Sequence, residues 1–331
     1  MNPLREQMLQ ISTGYWLSKA VQSAARAGVA DHLRDGPASV VDLAARAKVQ
    51  PENLQRLLRA LASVGIFEET DPGVFRLTPS AELLRADHPE TVKHFALMAC
   101  GDLFEAWCDF DHTLATGESA VHKRFGRDFF ARIARDPEKS QIFDRAMQEI
   151  HGGETEFMVG GFDFARFKTV MDVGGGNGST LRGILAAQGH LQGLLFDLPH
   201  VVDNARAHAG PPDVESRIQF HPGDFFREIT GRADAIVMRH VLHDWSDEDC
   251  AKILSNAVSA LEDGGSLLIV EKVITPGNDP GFVKLLDLNM MAIGGKERTE
   301  PQYRDLLATA GLRLHAVHTI EGPIDVVEAR R

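Results

Sequence analysis

Apolar positions between residues 4 and 34 (Ile11, Tyr15, Leu17, Ala20, Val21, Ala24, Ala27, Val29 and Leu33) follow helical spacing and predict two helices. Ser39 then stands as a cap for a helix over 40–47, and Lys48 to Pro51 reads as a turn. Leu54, Leu57, Leu58 and Leu61 mark the inward face of a second helix over 52–62, completing a helix-turn-helix. Ile66 to Glu69 and Val74 to Thr78, joined by Asp71-Pro-Gly73, have the pattern of a hairpin. The N-terminal region is therefore expected to be a mainly helical winged-helix module.

Residues 80–160 keep helical spacing but are broken at Gly117, Gly126 and Asp136-Pro137, and read as a helical link between two domains. From about residue 165 the period changes. Apolar runs at 168–173, 192–196, 217–220, 233–238 and 265–271 alternate with helical stretches, the pattern of a parallel sheet with helices on both faces. Runs at 312–320 and 324–328 add two strands around Glu321-Gly-Pro323. The expected fold class is α/β, a doubly wound, mostly parallel, seven-stranded Rossmann-like sheet, with the chain divided at 1–100, 101–162 and 163–331.

Composition narrows the field. A chain of 331 residues with 44% apolar content can give each domain a core. The net charge of −12 argues against a protein that binds by neutralising many phosphates, so no nucleic-acid partner is expected. The first residues are charged where a signal peptide needs an apolar stretch, and no apolar run approaches membrane-spanning length. A cytoplasmic protein without a membrane partner is expected. Cys100, Cys108 and Cys250 show neither CxxC nor metal-ligand spacing and read as buried thiols.

The first chemical signal is Asp172-Val-Gly-Gly-Gly-Asn-Gly178, placed between a strand and a helix start. Glycines at 174, 176 and 178 allow positive φ and leave room for a ligand against the backbone, while Asp197 ends the next strand where a nucleotide-binding βαβ unit puts its ribose-binding acid. A second signal follows strand 233–238. The carboxyl ends of strands face the ligand crevice of such a sheet, so His243 should lie on the same edge as the glycine turn. Glu271 closes another strand and Glu297 sits in a polar loop between apolar stretches; two acids beside a histidine fix its tautomer and stabilise its imidazolium, as a general base requires. Asp244 and Asp247 read as caps for a helix beginning near Glu248. His240 has no evident third ligand beside it, so no metal is expected.

Five motifs in order, Val-Gly-Gly-Gly-Asn-Gly at 173–178, Phe-Asp-Leu-Pro-His-Val at 196–201, Gly-Asp-Phe-Phe at 223–226, Leu-His-Asp-Trp-Ser-Asp-Glu at 242–248 and Gly-Gly-Lys-Glu-Arg-Thr at 294–299, resemble the S-adenosylmethionine-dependent O-methyltransferases. The group is the one with plant caffeate and flavonoid, animal hydroxyindole and bacterial polyketide-tailoring enzymes. The resemblance extends over the whole chain and implies an N-terminal winged-helix dimerisation domain, hence a homodimer, and intervening helices that help close the substrate pocket. It implies S-adenosylmethionine as cofactor, S-adenosylhomocysteine as product, and a small hydroxylated aromatic acceptor. Gly174, with its neighbour Gly176, would hold the methionine end. Asp197 and Leu198 would serve the ribose side, and Asp224 with Phe225 the adenine; Arg239 stands where the family usually has lysine. His243 would be the base, flanked by Glu271 and Glu297. Met290, Met291 and Asp244 can wall the acceptor pocket, and Trp107, Phe143 and Met147 can reach it from the linker helices; Met290 and Met291 fit an ordinary core equally well, and the helical spacing of the three linker residues fits a core better.

Three other functions are open to the same sequence. The helix-turn-helix could read DNA, but it offers Arg56 and Arg59 beside Glu52 and four inward leucines, a poor phosphate surface. The chemistry could have drifted to N-methylation, decarboxylation or hydroxylation on the same scaffold. A nicotinamide dehydrogenase is disfavoured by the Gly-x-Gly-x-Gly spacing of the turn.

Overall fold

The computed structural model describes residues 2–207 and 210–331; Met1, His208 and Ala209 lie outside the description. Two compact units emerge, one of Met1–Asp109 with Arg124–Gly152, the other of Phe110–Lys123 with Gly153–Arg331.

The first unit opens on the Pro3–Arg26 helix, whose first turn is capped by Asn2 and whose C-terminal part buries Ala24 and Ala25. Gly28 takes a left-handed φ of 63° and turns the chain into the short Val29–His32 helix. Ser39 caps the Val40–Ala47 helix by accepting from the Asp42 N–H at 3.1 Å. The Pro51–Ala62 helix follows, with Leu54, Leu58 and Leu61 buried and Leu57 at the edge of the core. Three strands, β1 (Ala38–Ser39), β2 (Phe67–Asp71) and β3 (Val74–Leu77), form an antiparallel sheet in the order β1-β3-β2, and Phe67 and Phe75 pack into the helical core.

The second unit is a seven-stranded sheet: β4 (Thr169–Val173), β5 (Gln192–Asp197), β6 (Ile218–Pro222), β7 (Ala233–Arg239), β8 (Leu261–Glu271), β9 (Arg313–Thr319) and β10 (Asp325–Arg330), in the order β6-β5-β4-β7-β8-β10-β9. The first five are mutually parallel, and β10 runs antiparallel to β8 and β9. Side chains alternate across the sheet, so Met171, Phe196, Ile236 and Ile269 enter one core while Val170, Leu195, Val237 and Leu268 enter the other. Apolar residues on both faces explain why helices must cover both. The chain steps outward from β4 to β6 and then returns to place β7 on the other side of β4. That reversal opens a crevice at the carboxyl ends of β4 and β7, where ligands bind in doubly wound sheets.

Candidate active site

The glycine turn leaves β4 with Gly174, Gly176 and Gly178 all at positive φ. A Cβ on Gly174 would stand 2.8 Å from Val241 Cγ2 and one on Gly178 2.6 Å from Leu195 Cδ1, whereas Gly176 has nothing within 4 Å. The turn is thus packed at its ends and open at its middle. Beside the open glycine lies Asp197 at the end of β5, whose carboxylate accepts from the Gly176 N–H at 2.9 Å and the Leu198 N–H at 2.6 Å. Burial raises its pKa, and these two N–H groups hold it back. Beneath the turn, Asp172 is buried with one carboxyl oxygen unpartnered, and burial pushes its carboxyl up to about 7 against the pull of Arg239.

The loop after β6 places Asp224 and Phe225 near this edge. Asp224 accepts from the Phe226 N–H at 2.9 Å, and Phe225, Phe226 and Trp245 meet edge to face with centroids 4.8 to 6.1 Å apart. Arg239, the last residue of β7, donates to Glu154 at 3.2 Å, and Glu154 also takes His240 at 2.7 Å. An open glycine, an acid able to receive vicinal hydroxyls, an aromatic cluster and an unsatisfied acid together suit an adenosine nucleoside carrying a cationic amino-acid tail.

His243 sits in the 3₁₀ turn Leu242–Asp244 beyond β7 and is buried. Its Nδ1 lies 2.8 Å from Glu297 Oε1, so in the neutral imidazole Nδ1 donates to that carboxylate and Nε2 is the acceptor; Asp244 Oδ1 lies 3.7 Å from Nε2. Glu271 reaches the histidine differently from the flanking contact the sequence implied. Its Oε1 accepts the main-chain N–H of His243 at 3.0 Å, and its Oε2 takes the Tyr303 hydroxyl. The Glu297 loop is fixed to the histidine turn: the Lys296 N–H donates to His243 O at 2.7 Å, and a Cβ on Gly295 would stand 2.1 Å from that oxygen. Burial alone would lower the His243 pKa. The charge of Asp244, the hydrogen bond to Glu297 and the charges of Glu271 and Glu297 outweigh it and push the imidazole up to about 10. Asp244 is itself raised to about 6 by burial, which the charge of His243 opposes.

Three residues of this network were not visible in the sequence. Arg298 is fully buried; it donates to Leu242 O at 3.0 Å, Trp245 O and Lys296 O at 3.1 Å, and Asp247 Oδ1 at 2.8 Å. It adjoins Glu297 in the polar loop already singled out, and that position was its only signal. Tyr303 has the spacing of a core residue, and Asp287, which accepts the Glu297 N–H at 2.9 Å, sits within an apolar helix. Two expectations need correction. Ser246, not Asp244 or Asp247, caps the Asp247–Ala260 helix, because Asp247 lies inside the first turn and engages Arg298 and Lys296. Cys108 is exposed, while Cys100 and Cys250 are buried. Met290 is buried and Met291 half-buried on the Phe282–Ile293 helix of the same unit; Trp107 and Met147 belong to the first unit.

A doubly wound sheet whose strand ends carry an open glycine turn, an acid beside it and a buried histidine–carboxylate pair has the layout of a Rossmann-like, nucleoside-binding enzyme. Family models give the particular kind: an O-methyltransferase domain matches residues 107–313, and an O-methyltransferase dimerisation domain matches residues 9–87. The chain belongs to the S-adenosylmethionine-dependent O-methyltransferases. It is 38% identical over 99% of its length to the phenazine O-methyltransferase of Lysobacter antibioticus, covering 96% of that protein. It is 32% identical over 98% of its length to the 8-amino-8-demethylriboflavin N,N-dimethyltransferase of Streptomyces davaonensis, covering 95% of it. A solved O-methyltransferase of neocarzinostatin biosynthesis, in complex with S-adenosylmethionine and 2-hydroxy-5-methyl naphthoic acid, superposes with a TM-score of 0.84 at 32% identity and 95% coverage of each chain. Among the described residues no helix is long and apolar enough to cross a membrane.

Proposed function

We propose that the protein methylates a phenolic hydroxyl of a small, secondary-metabolite-type aromatic substrate, with His243 as general base. The observation that carries this reading is the buried His243–Glu297 pair, Nδ1 to Oε1 at 2.8 Å, which in the base form of the ring makes Nδ1 the donor and frees Nε2 to accept. The relatives named for a phenazine and for a naphthoic acid complex support an aromatic acceptor. Gly174, Gly176, Asp197, Leu198, Asp224, Phe225 and Arg239 would hold S-adenosylmethionine. When bound, it supplies a sulfonium methyl that passes to the acceptor oxygen while the C–S electron pair stays on sulfur.

The chain's own contribution is proton affinity in the right place. A free imidazole lies roughly 3.5 pKa units below a phenol, so taking the proton outright would cost about 5 kcal/mol. The acids around His243 lift it to about 10, beside the phenol's own value, and proton transfer from the acceptor oxygen to Nε2 becomes nearly balanced. Asp244, Met290 and Met291 would contact the acceptor, as would Trp107 and Met147 from the 101–162 segment.

The test is a methyl-donor assay over a panel of phenols with mass detection of the methylated product. His243→Ala should lower kcat by about 100-fold to 10,000-fold and leave S-adenosylmethionine affinity nearly unchanged. Activity should return as pH approaches the phenol's pKa, or with a more acidic phenol, because such an acceptor arrives ionised. The same fractional loss at every pH and for every phenol, acidic ones included, would make His243 a positioning residue instead. The N,N-dimethyltransferase relative favours a second reading, methylation of an amine. An aromatic amine attacks through its lone pair before losing a proton, so robust turnover of anilines by His243→Ala, with no phenol turned over by the parent enzyme, would select it.

A further inference from the structure

Behind His243 lies a buried group that the proposed chemistry leaves unused. Tyr303, on the inner face of the Glu300–Thr309 helix, is fully buried, and its hydroxyl donates to Glu271 Oε2. The other oxygen of Glu271 receives the His243 main-chain N–H at 3.0 Å. A carboxylate in a dry interior stays ionised only where donors and positive charge support it, and Glu271 is itself fully buried. The titratable groups around this cluster come from every side: Asp244 from the 3₁₀ turn, Glu297 and Arg298 from the loop before Tyr303, Asp287 from the Phe282–Ile293 helix, and Asp247 and the neutral thiol Cys250 from the Asp247–Ala260 helix. The His240 ring stands 5.2 Å from that of His243. Asp244 and Glu297 are acids, and their presence makes a third negative charge harder to keep. Tyr303 supplies the side-chain donor that holds it.

We propose that Tyr303 is a positioning residue for methyl transfer: its hydroxyl keeps Glu271 ionised and turned to the main chain of His243, so that the charge sustaining the imidazolium stays in place when His243 takes the acceptor's proton. This rests on His243 being the base. Phenylalanine at 303 would fill the same space and remove only the donor. Glu271 would then take up a proton, its field at His243 would vanish, and the imidazole would become less basic.

The test follows the His243 ring by NMR of histidine-labelled, cofactor-free enzyme alongside pH profiles of kcat. In Tyr303→Phe the His243 titration midpoint should fall by about one unit, and the limiting kcat at high pH should drop about tenfold. Acceptor KM and the calorimetric Kd for S-adenosylmethionine should stay within about twofold. Glu271→Gln, alone or combined with Tyr303→Phe, should give one common midpoint, since neither variant has a charge left to hold. An unmoved midpoint in Tyr303→Phe, with only a lowered melting temperature, would overturn the assignment and leave Tyr303 a packing residue. The two readings fail separately. The same fractional loss of kcat in His243→Ala for phenols of every acidity sinks the base and with it the catalytic part of the proposal, while an unmoved midpoint sinks the hold of Tyr303 on Glu271 whatever the base is.

Discussion

At the scale of single residues, His243 sets the pH behaviour. With its pKa raised to about 10, the base form is the minor one at neutral pH, so kcat should climb through the alkaline range and level off near that value. Glu297→Gln keeps an acceptor for Nδ1–H but removes a negative charge; the rise should move to lower pH and the plateau should fall by about tenfold, read from a kcat profile. A rise that stays in place would mean Glu297 does not set the basicity of His243. The same shift acts on folding in a fixed direction. A histidine whose folded pKa exceeds its unfolded value of roughly 6.5 adds stability that is full below that value and is lost as pH rises through about 10. Asp197 is the proposed cofactor acid at the other end of the site. Replacing it with alanine should weaken S-adenosylmethionine by about 1.5 to 3 kcal/mol in calorimetry, and unchanged affinity would remove it from the cofactor site. His243, Glu271, Glu297 and Asp197 could be found in the sequence because each is a polar residue ending or interrupting an apolar run. Tyr303 could not, because a tyrosine at core spacing looks like any core aromatic until its hydroxyl is seen on Glu271.

At the scale of elements, the site is made of loops that follow parallel strands, and it needs something to hold those loops in register. Arg298 does this with a buried guanidinium shared between the turn after β7, the loop bearing Glu297 and the first turn of the Asp247–Ala260 helix. Leucine at 298 would leave the carbonyls of Leu242 and Trp245 without that donor, and should cost about 3 to 5 kcal/mol in denaturant unfolding. Cysteine labelling reports the same loosening locally. Cys250 is buried, its thiol is pushed up to about 12 by burial, and it lies 3.4 Å from Arg298 Nη2. It should resist a thiol reagent in the parent protein, where exposed Cys108 reacts, and become reactive in Arg298→Leu. A stable variant with Cys250 still protected would show that the loops hold without the arginine. Periodicity revealed the strands and the helix-turn-helix, since two-sided burial and capping leave local marks at Val170, Leu195, Ser39 and Leu58. It did not reveal the clamp, whose partners Leu242 and Trp245 lie 56 and 53 positions away in the chain and carry the bond on main-chain carbonyls that have no sequence signature.

At the scale of the whole molecule, the first unit raises the question of what covers it. Leu4, Met8, Ile11 and Tyr15 recur three or four residues apart along the Pro3–Arg26 helix, and all are exposed, as are Leu9, Trp16 and Leu17. One stripe of large apolar side chains on a helix of 24 residues exceeds the scattered exposure of an ordinary surface. The match of residues 9–87 to a dimerisation domain places most of this helix in a segment named for association. We take the partner to be a second copy of the chain. With a net charge of −12 per chain, two copies approach against their own repulsion, so the contact must come from apolar burial and should tolerate salt. Light scattering at about 10 μM should therefore give twice the chain mass at both low and high ionic strength. Met8→Asp combined with Ile11→Asp puts two unpaired charges into the stripe and should give a monomer whose second unit still binds S-adenosylmethionine, because every proposed cofactor contact lies beyond residue 173. A parent chain that scatters as a monomer, or a double variant that stays dimeric, would mean that the stripe is not the interface.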